Sequence, residues 1–394
     1  MQSVDEAVAQ LLKQSRELVT VEDTALSQTL GRVLAEHIVA GIDVPPADNS
    51  AMDGYALRHA DWTSAEVPIE VSMRIPAGVS PSPLLAGTAA RIFTGAEIPV
   101  GADTVVMQEN CETNANQVFI HTLPDQSTNI RRRAQDVAIG QAVFSPGSRI
   151  RPQDIGLIAS LGIASVRTFR PLKVAVISNG DELREPGEQL MPGQIYNSNR
   201  YLLCGLMKGW GFEVVDMGIA PDDPESIREL LCSAAQQADV IVSSGGVSVG
   251  EEDHIKNVVS ELGGIDLWKV SIKPGKPFAF GNVDGVPFLG LPGNPSSVLV
   301  TCLIIARPFL MASQGISDTE VIPLRKPALF SRKQATRTEY LRVKSSAIGL
   351  ECFPQQSSGV LLSTVWGDGL GVHREGEVIS AGDEIDYLPY QFLL

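Results

Sequence analysis

The sequence predicts a multidomain α/β protein with four parts: a doubly wound α/β domain, a β-rich insert domain, a discontinuous helical or linker domain, and a C-terminal small β-barrel-like domain. Three observations predict it. Between about residues 172 and 312, apolar strand-like runs alternate with helix-like runs, as in a parallel sheet with crossover helices. Motifs rich in Gly, Pro, Asp and Lys mostly sit just after the strand-like runs, where an open α/β sheet gathers its ligands. Outside this block, residues 45–140 and 318–394 read as short strands separated by turn residues.

The 394 residues exceed one ordinary domain, and length alone suggests about two to four. Hydrophobic residues make up 44%, enough for real cores, which argues against global disorder. The net charge of −15 argues against broad nucleic-acid binding. It does not exclude a small anionic substrate, because local lysines, the run Arg131-Arg132-Arg133 or a bound cation would decide that. The best membrane-span candidate, residues 298–312, is broken by Arg307-Pro308. The first 18 residues are charged and amphipathic rather than signal-like, so a cytoplasmic location is expected, with neither membrane nor nucleic acid as partner. Five scattered cysteines without a CxxC pair point to reduced thiols rather than a zinc site or disulfides.

In chain order, Val4 to Leu18 carries a helical apolar stripe, and Thr20 to Leu34 continues as a second helix. Residues 42–57 lose all periodicity and lead into the insert domain, 45–140, with strand-like runs at 67–75, 89–98, 102–110 and 117–123. Helical character returns at Pro152 to Leu161, with Pro152 near the start and Gly162 near the stop. Helical segments on both sides of the insert suggest one discontinuous domain, 1–44 plus 141–171. The α/β domain spans 172–317, and the tail, 318–394, shows no good helix.

The chemistry concentrates in the motifs of the α/β block. Gly245-Gly246-Val247-Ser248-Val249-Gly250 lets backbone N–H groups approach an oxyanion, although a tight strand-to-helix turn needs the same glycines. It lacks the Gly-Lys-Ser/Thr ending of a P-loop. Asp181, Glu182, Asp222 and Asp253 are the carboxylates expected to meet there, and hard oxygen ligands beside phosphate favour Mg²⁺. The plain alternative for Asp222 and Asp253 is helix capping. Lys269 and Lys273 fall on one face if the chain is extended, and their two ammonium groups would form an oxyanion clamp; a solvated hairpin is the alternative. Pro295, opening a helix after Leu291-Pro292-Gly293-Asn294, leaves free amides at the following serines for an anion. In the other half of the chain, Asp53 within residues 48–56 could be an acid or a metal-positioning group, and Thr94-Gly95-Ala96 is a second polar stretch without an obvious structural reason.

Together, DNSAMDGYA (48–56), RIFTGAEIPVGADTVVMQE (91–109), NGDEL (179–183), SGGVSVGEED (244–253), KPGKPFAFG (273–281) and LPGNPSSV (291–298) resemble the molybdopterin molybdenumtransferases, the family that includes the E domain of gephyrin. The match runs nearly end to end. Adenylyltransferases of the same pathway share only the α/β block, and a non-catalytic scaffold would not need the acids of its motifs. The resemblance implies a homodimer whose substrates are adenylylated molybdopterin (adenylyl-molybdopterin) and molybdate. It also implies Mg²⁺-dependent hydrolysis of the adenylate, with molybdate inserted into the pterin dithiolene and AMP released. The implied partners are a molybdopterin adenylyltransferase and downstream molybdoenzyme maturation proteins. By motif position, the resemblance assigns Asp53, Thr94, Asp136, Glu182, Asp222 and Asp253 to catalysis, with Glu182, Asp222 and Asp253 also as metal ligands. Gly245, Gly246, Ser248, Gly250, Lys269, Lys273, Lys276, Pro292, Pro295, Arg337 and Ser358 are assigned to the substrate. Four positions depart from the family pattern: Thr336 replaces a usual Gly, Ala134-Gln135 replace Gly-Glu before Asp136, and Asn179 replaces a common Thr.

Overall fold

The computed structural model describes residues 1–246 and 254–394. At its centre is a six-stranded sheet in the order Glu213–Ala220, Lys173–Asn179, Val240–Ser244, Val286–Leu291, Pro277–Val283, Ile265–Lys269. The first four strands run parallel, Pro277–Val283 runs antiparallel to them, and Ile265–Lys269 pairs antiparallel with Pro277–Val283. Strand alternation divides the core between the two faces. Val174 and Val176 join helices Ser198–Gly209 and Pro295–Thr301 on one face, and Ala175 and Ile177 join Pro224–Gln237 and His254–Leu262 on the other. The fold is therefore doubly wound, as the alternating pattern predicts. From Lys173–Asn179 the chain crosses to Glu213–Ala220 on one side and then returns to Val240–Ser244 on the other. The switch point thus lies beyond Asn179 and Ser244.

The chain from Pro295 to Ser313 is one continuous helix despite Pro308. A π-helical turn, Cys302–Ala306, precedes the proline and takes up the missing N–H, so the helix does not end where the sequence suggested. This segment is apolar and long enough to span a bilayer, but 78% of its apolar window is buried in the protein. The first helix, Val4–Gln14, capped by Ser3 and Glu6, packs Val4, Ala7 and Leu11 into the same core.

The second N-terminal helix expected from the sequence is absent. Residues 20–34 instead form strand Val21–Ala25, a single 3₁₀ turn Leu26–Gln28 and strand Val33–Leu34. Both strands pair with Ser165–Phe169, and the Thr24 and Thr168 hydroxyls meet at 2.7 Å in the buried layer. Long-range pairing of β-branched residues wins over the local helical spacing. The short pair Ile38–Val39 with Ala142–Phe144 likewise joins chain from both sides of the insert.

The insert contains a mostly antiparallel sheet in the order Thr104–Met107, Gly54–Leu57, Thr88–Ile92, Ile69–Ile75, Gln117–Ile120, Cys111–Asn114. The C-terminal region is a sheet built on Thr338–Ser345, Gly369–His373 and Glu384–Pro389. Contrary to the expected helix-free tail, it carries two short helical turns, Leu362–Trp366 and Tyr390–Leu393. Its edge matters for function, because Ile272–Lys273 from the α/β domain joins it in parallel with Thr338-Glu339.

Candidate active site

A cleft of about 740 Å³ opens beyond the switch point. Its floor is Gly245-Gly246 and the loop Pro292–Pro295, one wall is Lys273–Pro277, and the C-terminal region closes it with Arg337 and Gln356–Ser358. Glu182 also lines it. The structure thus gathers Glu182, Gly245, Gly246, Lys273, Lys276, Pro292, Pro295, Arg337 and Ser358, which lie far apart in sequence. Ser248, Gly250 and Asp253 lie outside the described residues.

Two expectations, one about the cation clamp and one about the helix N-terminus, need correction. Lys269 and Lys273 do not share a face. Strand Ile265–Lys269 ends at Lys269, which pairs with Pro277, while Val270 turns into the core. The extended run resumes only at Ile272–Lys273, and in a different sheet. Lys269 is exposed and does not line the cleft, so Lys273, Lys276 and Arg337 supply the basic groups there. The helix N-terminus at Pro295 is also less open than its sequence suggests. The Ser296 amide donates to the Ser358 carbonyl at 3.0 Å, and the Ser296 hydroxyl to the Val360 carbonyl at 2.9 Å. Those bonds serve to fasten the C-terminal region to the cleft floor.

Asp222 does not touch the cleft wall, but its neighbourhood bears on its role. Capping of helix Pro224–Gln237 falls to Asp223, whose side chain accepts from the Ser226 amide at 2.9 Å. Asp222 is released from that duty. Its carboxylate accepts from Asn179 Nδ2 at 3.1 Å, and its amide donates to Asp181 at 3.3 Å. The other side-chain atom of Asn179, Oδ1, is buried and has no partner among the described residues. Carboxylates from two loops and an unused amide oxygen therefore adjoin at the switch point. Among the described residues no set of three His, Cys, Asp or Glu side chains forms a ready metal cage. Mg²⁺ does not need one, since it usually takes one or two carboxylates and completes its shell with phosphate oxygens and water.

The remaining acids sit in the insert. Asp53 Oδ1 accepts from both the amide and the hydroxyl of Thr94, each at 2.7 Å. Those two bonds, the amide first, hold the Asp53 carboxyl below the usual carboxylate range. Near neutral pH it is therefore ionised, which suits a base or positioning role rather than a general acid. Asp136 is exposed in the turn whose amide donates to the Val44 carbonyl at 2.9 Å. None of these three residues lines the cleft.

Sequence reasoning missed Gln356, Ser357 and the acid Glu339. Glu339, with a side chain only 10% exposed, accepts from Lys273 Nζ at 2.7 Å and from Arg332 at 3.0 Å. Burial pushes its carboxyl up, but the bonds from Lys273 and Arg332 outweigh burial and leave it below the ordinary 4.5. The sign of the linkage follows. The folded form is depressed, so the stability it confers is full above the unfolded value and is lost as pH falls below about 4.5. Denaturation midpoints measured from pH 7 down to pH 3 should fall less steeply for Glu339→Gln than for the parent.

Gly275 shows how tightly the lysine loop is held. Its φ is +108°, and an added Cβ would overlap the Thr301 hydroxyl and lie 3.5 Å from the Ser297 carbonyl oxygen. Gly275→Ala should shift the Lys273–Lys276 wall, cutting turnover at least about tenfold while costing roughly 1–3 kcal/mol of stability. Activity assays alongside thermal unfolding would check both.

The molecule is thus a doubly wound domain with a cleft at its switch point, closed by a β-rich C-terminal region, in a chain that also carries a β-rich insert. Family models described as MoeA N-terminal region (domain I and II), probable molybdopterin binding domain, and MoeA C-terminal region (domain IV) match residues 2–162, 175–312 and 328–390. Two crystal structures of molybdopterin biosynthesis MoeA protein from Pyrococcus horikoshii superpose over nearly the whole chain. One has TM-score 0.86 at 28% identity, covering 99% of this chain and 100% of that one; the other has 0.81 at 31%, covering 98% of each. A molybdopterin molybdenumtransferase of Haemophilus influenzae is 41% identical over 80% of this chain and 78% of that relative, and one from Nostoc is 40% identical over 73% and 68%. The chain belongs to the molybdopterin molybdenumtransferase family and is an enzyme of molybdenum cofactor biosynthesis.

Proposed function

We propose that this cleft binds adenylylated molybdopterin and molybdate, cleaves the adenylate and transfers molybdenum to the pterin dithiolene. The single observation that carries the reading is the convergence, at one switch point, of Lys273, Lys276 and Arg337 with Gly245-Gly246 and the nearby acids. In the hydrolysis, the phosphoanhydride bond breaks, a water oxygen joins phosphorus and AMP leaves. In the insertion, dithiolene sulfurs replace oxygens on molybdenum, and those oxygens depart with protons as water. The chain contributes no thiol to this exchange, since its cysteines are scattered and burial raises the thiol pKa of each one.

Lys273, Lys276 and Arg337 would neutralise molybdate and the phosphates, whose mutual repulsion otherwise opposes their meeting. Gly245 and Gly246 line the cleft at the strand end, where a phosphate would approach, although the Gly245 amide is not free as the sequence suggests, since it donates to the Leu291 carbonyl at 3.1 Å. Glu182 and Asp222 are the described residues that would hold Mg²⁺, with Asp181 beside them. When bound, Mg²⁺ would supply charge neutralisation at the pyrophosphate. Asp222 and Glu182, as oxygen acceptors, could also orient the attacking water.

The test is AMP release from purified protein, adenylylated molybdopterin and Mg²⁺, with and without molybdate. Molybdate-stimulated release supports the reading, and no release from folded protein refutes it. The upstream supplier would be a molybdopterin adenylyltransferase, and the receivers would be molybdoenzyme maturation proteins, all in the cytoplasm.

The active unit in this reading is a homodimer in which Asp53, Thr94 and Asp136 of one insert serve the cleft of the other subunit. Asp53→Ala and Lys273→Ala proteins, each inactive alone, should then recover about a quarter of parental activity when mixed and allowed to exchange subunits. Half of the dimers would be mixed, with one intact site each. Persistent inactivity of verified mixed dimers would place those acids outside the partner's site.

A further inference from the structure

We propose that Glu339 is a positioning residue for Lys273, fixing the ammonium at the cleft wall and tying its placement to the C-terminal region; the proposal rests on the anion-binding reading of the cleft given above. The geometry is specific. Lys273 sits in a two-residue strand that pairs in parallel with the C-terminal sheet, in the register Ile272 with Thr338 and Lys273 with Glu339. Two further bonds fasten this junction: Thr338 N to the Ser271 carbonyl at 3.2 Å, and Arg337 to the Ile272 carbonyl at 3.1 Å. Arg337 is itself a cleft residue, so one short strand pairing sets two of the cleft's cations.

A lysine is a flexible chain ending in three rotatable donors, and a free one loses much rotamer entropy when a ligand captures it. Glu339 takes one donor of Lys273 at 2.7 Å, leaving two for the cleft. The acid is buried while the lysine is 44% exposed, so Glu339 is the fixed anchor and Lys273 the arm. Arg332, at 3.0 Å on the second carboxylate oxygen, holds the anchor from behind. The Arg332–Glu339–Lys273 triad carries one net positive charge, and its exposed end lies in the cleft. Glu339 therefore orients Lys273 without cancelling the attraction of the site for an anion.

The experiment uses the full chain and titrates inorganic molybdate by calorimetry, a readout that needs no turnover. Glu339→Ala should weaken molybdate binding about tenfold. Glu339→Gln keeps an acceptor at the same place and should recover to within about threefold of the parent. In the Lys273→Ala background, Glu339→Ala should add less than about a twofold further loss, because the residue acts through Lys273. Thermal unfolding would identify any variant too destabilised to interpret; if Glu339→Ala is one, Glu339→Leu, which keeps the buried volume but removes the acceptor, carries the same tenfold expectation. An unchanged Kd for folded Glu339→Ala would overturn the proposal. So would an equal loss with and without Lys273, the mark of a merely structural role. Tighter binding would overturn it too, since Glu339 would then be competing for Lys273 rather than presenting it. Absence of molybdate binding by the parent would refute the anion-site reading itself. Binding by the parent with no effect of Glu339 would refute only this proposal.

Discussion

Replacing Lys273 by Ala should reduce molybdate-dependent turnover by about 10²–10³-fold while leaving the fold intact. The expectation follows from what each state loses. In the resting protein, removal of the ammonium leaves Glu339 still paired with Arg332 at 3.0 Å, so no buried carboxylate is stranded. The lysine side chain is 44% exposed, so its truncation opens no cavity in the core. In the proposed reaction, by contrast, an anionic pterin phosphate and molybdate would have to come together in a cleft whose described cations are few. Loss of one of them is felt fully as charge develops. Turnover and denaturation midpoint, measured side by side, separate the two. A large activity loss with an almost unchanged midpoint is the expected pair.

Gly54→Ala should have the largest effect on stability, at least about 3 kcal/mol, and should unfold the insert rather than disable a single group. Gly54 starts the strand held between Thr88–Ile92 and Thr104–Met107. An added Cβ would overlap the Val106 carbonyl oxygen, and would sit 2.9 Å from its carbon and 3.2 Å from the Met107 Cα. These are backbone atoms of a paired strand, so no rotamer change relieves the clash. The neighbouring strand must move, breaking the Gly54–Met107 and Tyr55–Val106 register and exposing the core around Tyr55, Leu57 and Val106. Limited proteolysis should cut the variant within residues 45–140 under conditions that spare the parent. Asp53, one residue away, should lose its Thr94 bonds at the same time.

The switch-point site was legible in the sequence because its parts are local. A motif that follows a strand is carried to the strand's carboxyl end by the fold alone. That accounts for Glu182, Gly245, Gly246, Pro292 and Pro295, and for the doubly wound sheet behind them. What escaped depends on partners distant in sequence. Residues 20–34 have helical apolar spacing, but their strands are fixed by Ser165–Phe169, which no local pattern announces. Two-residue alternation wrongly joined Lys269 to Lys273, because the chain bends at Ser271 and Ile272–Lys273 joins a second sheet. Asp222 and Asp223 look interchangeable before Pro224, and only the bond to Ser226 shows which of them caps. Glu339 is one acid in an ordinary strand, and its importance comes from the lysine 66 residues earlier.

The central claim is that the cleft joins adenylate cleavage to molybdenum transfer. The most direct measurement is a single-turnover reaction of adenylylated molybdopterin, Mg²⁺ and molybdate with parent and Lys273→Ala protein, quantifying AMP and pterin-bound molybdenum together. The account predicts equal amounts of AMP and pterin-bound molybdenum from the parent and little of either from the variant. AMP without pterin-bound molybdenum, or equal yields from both proteins, would contradict it.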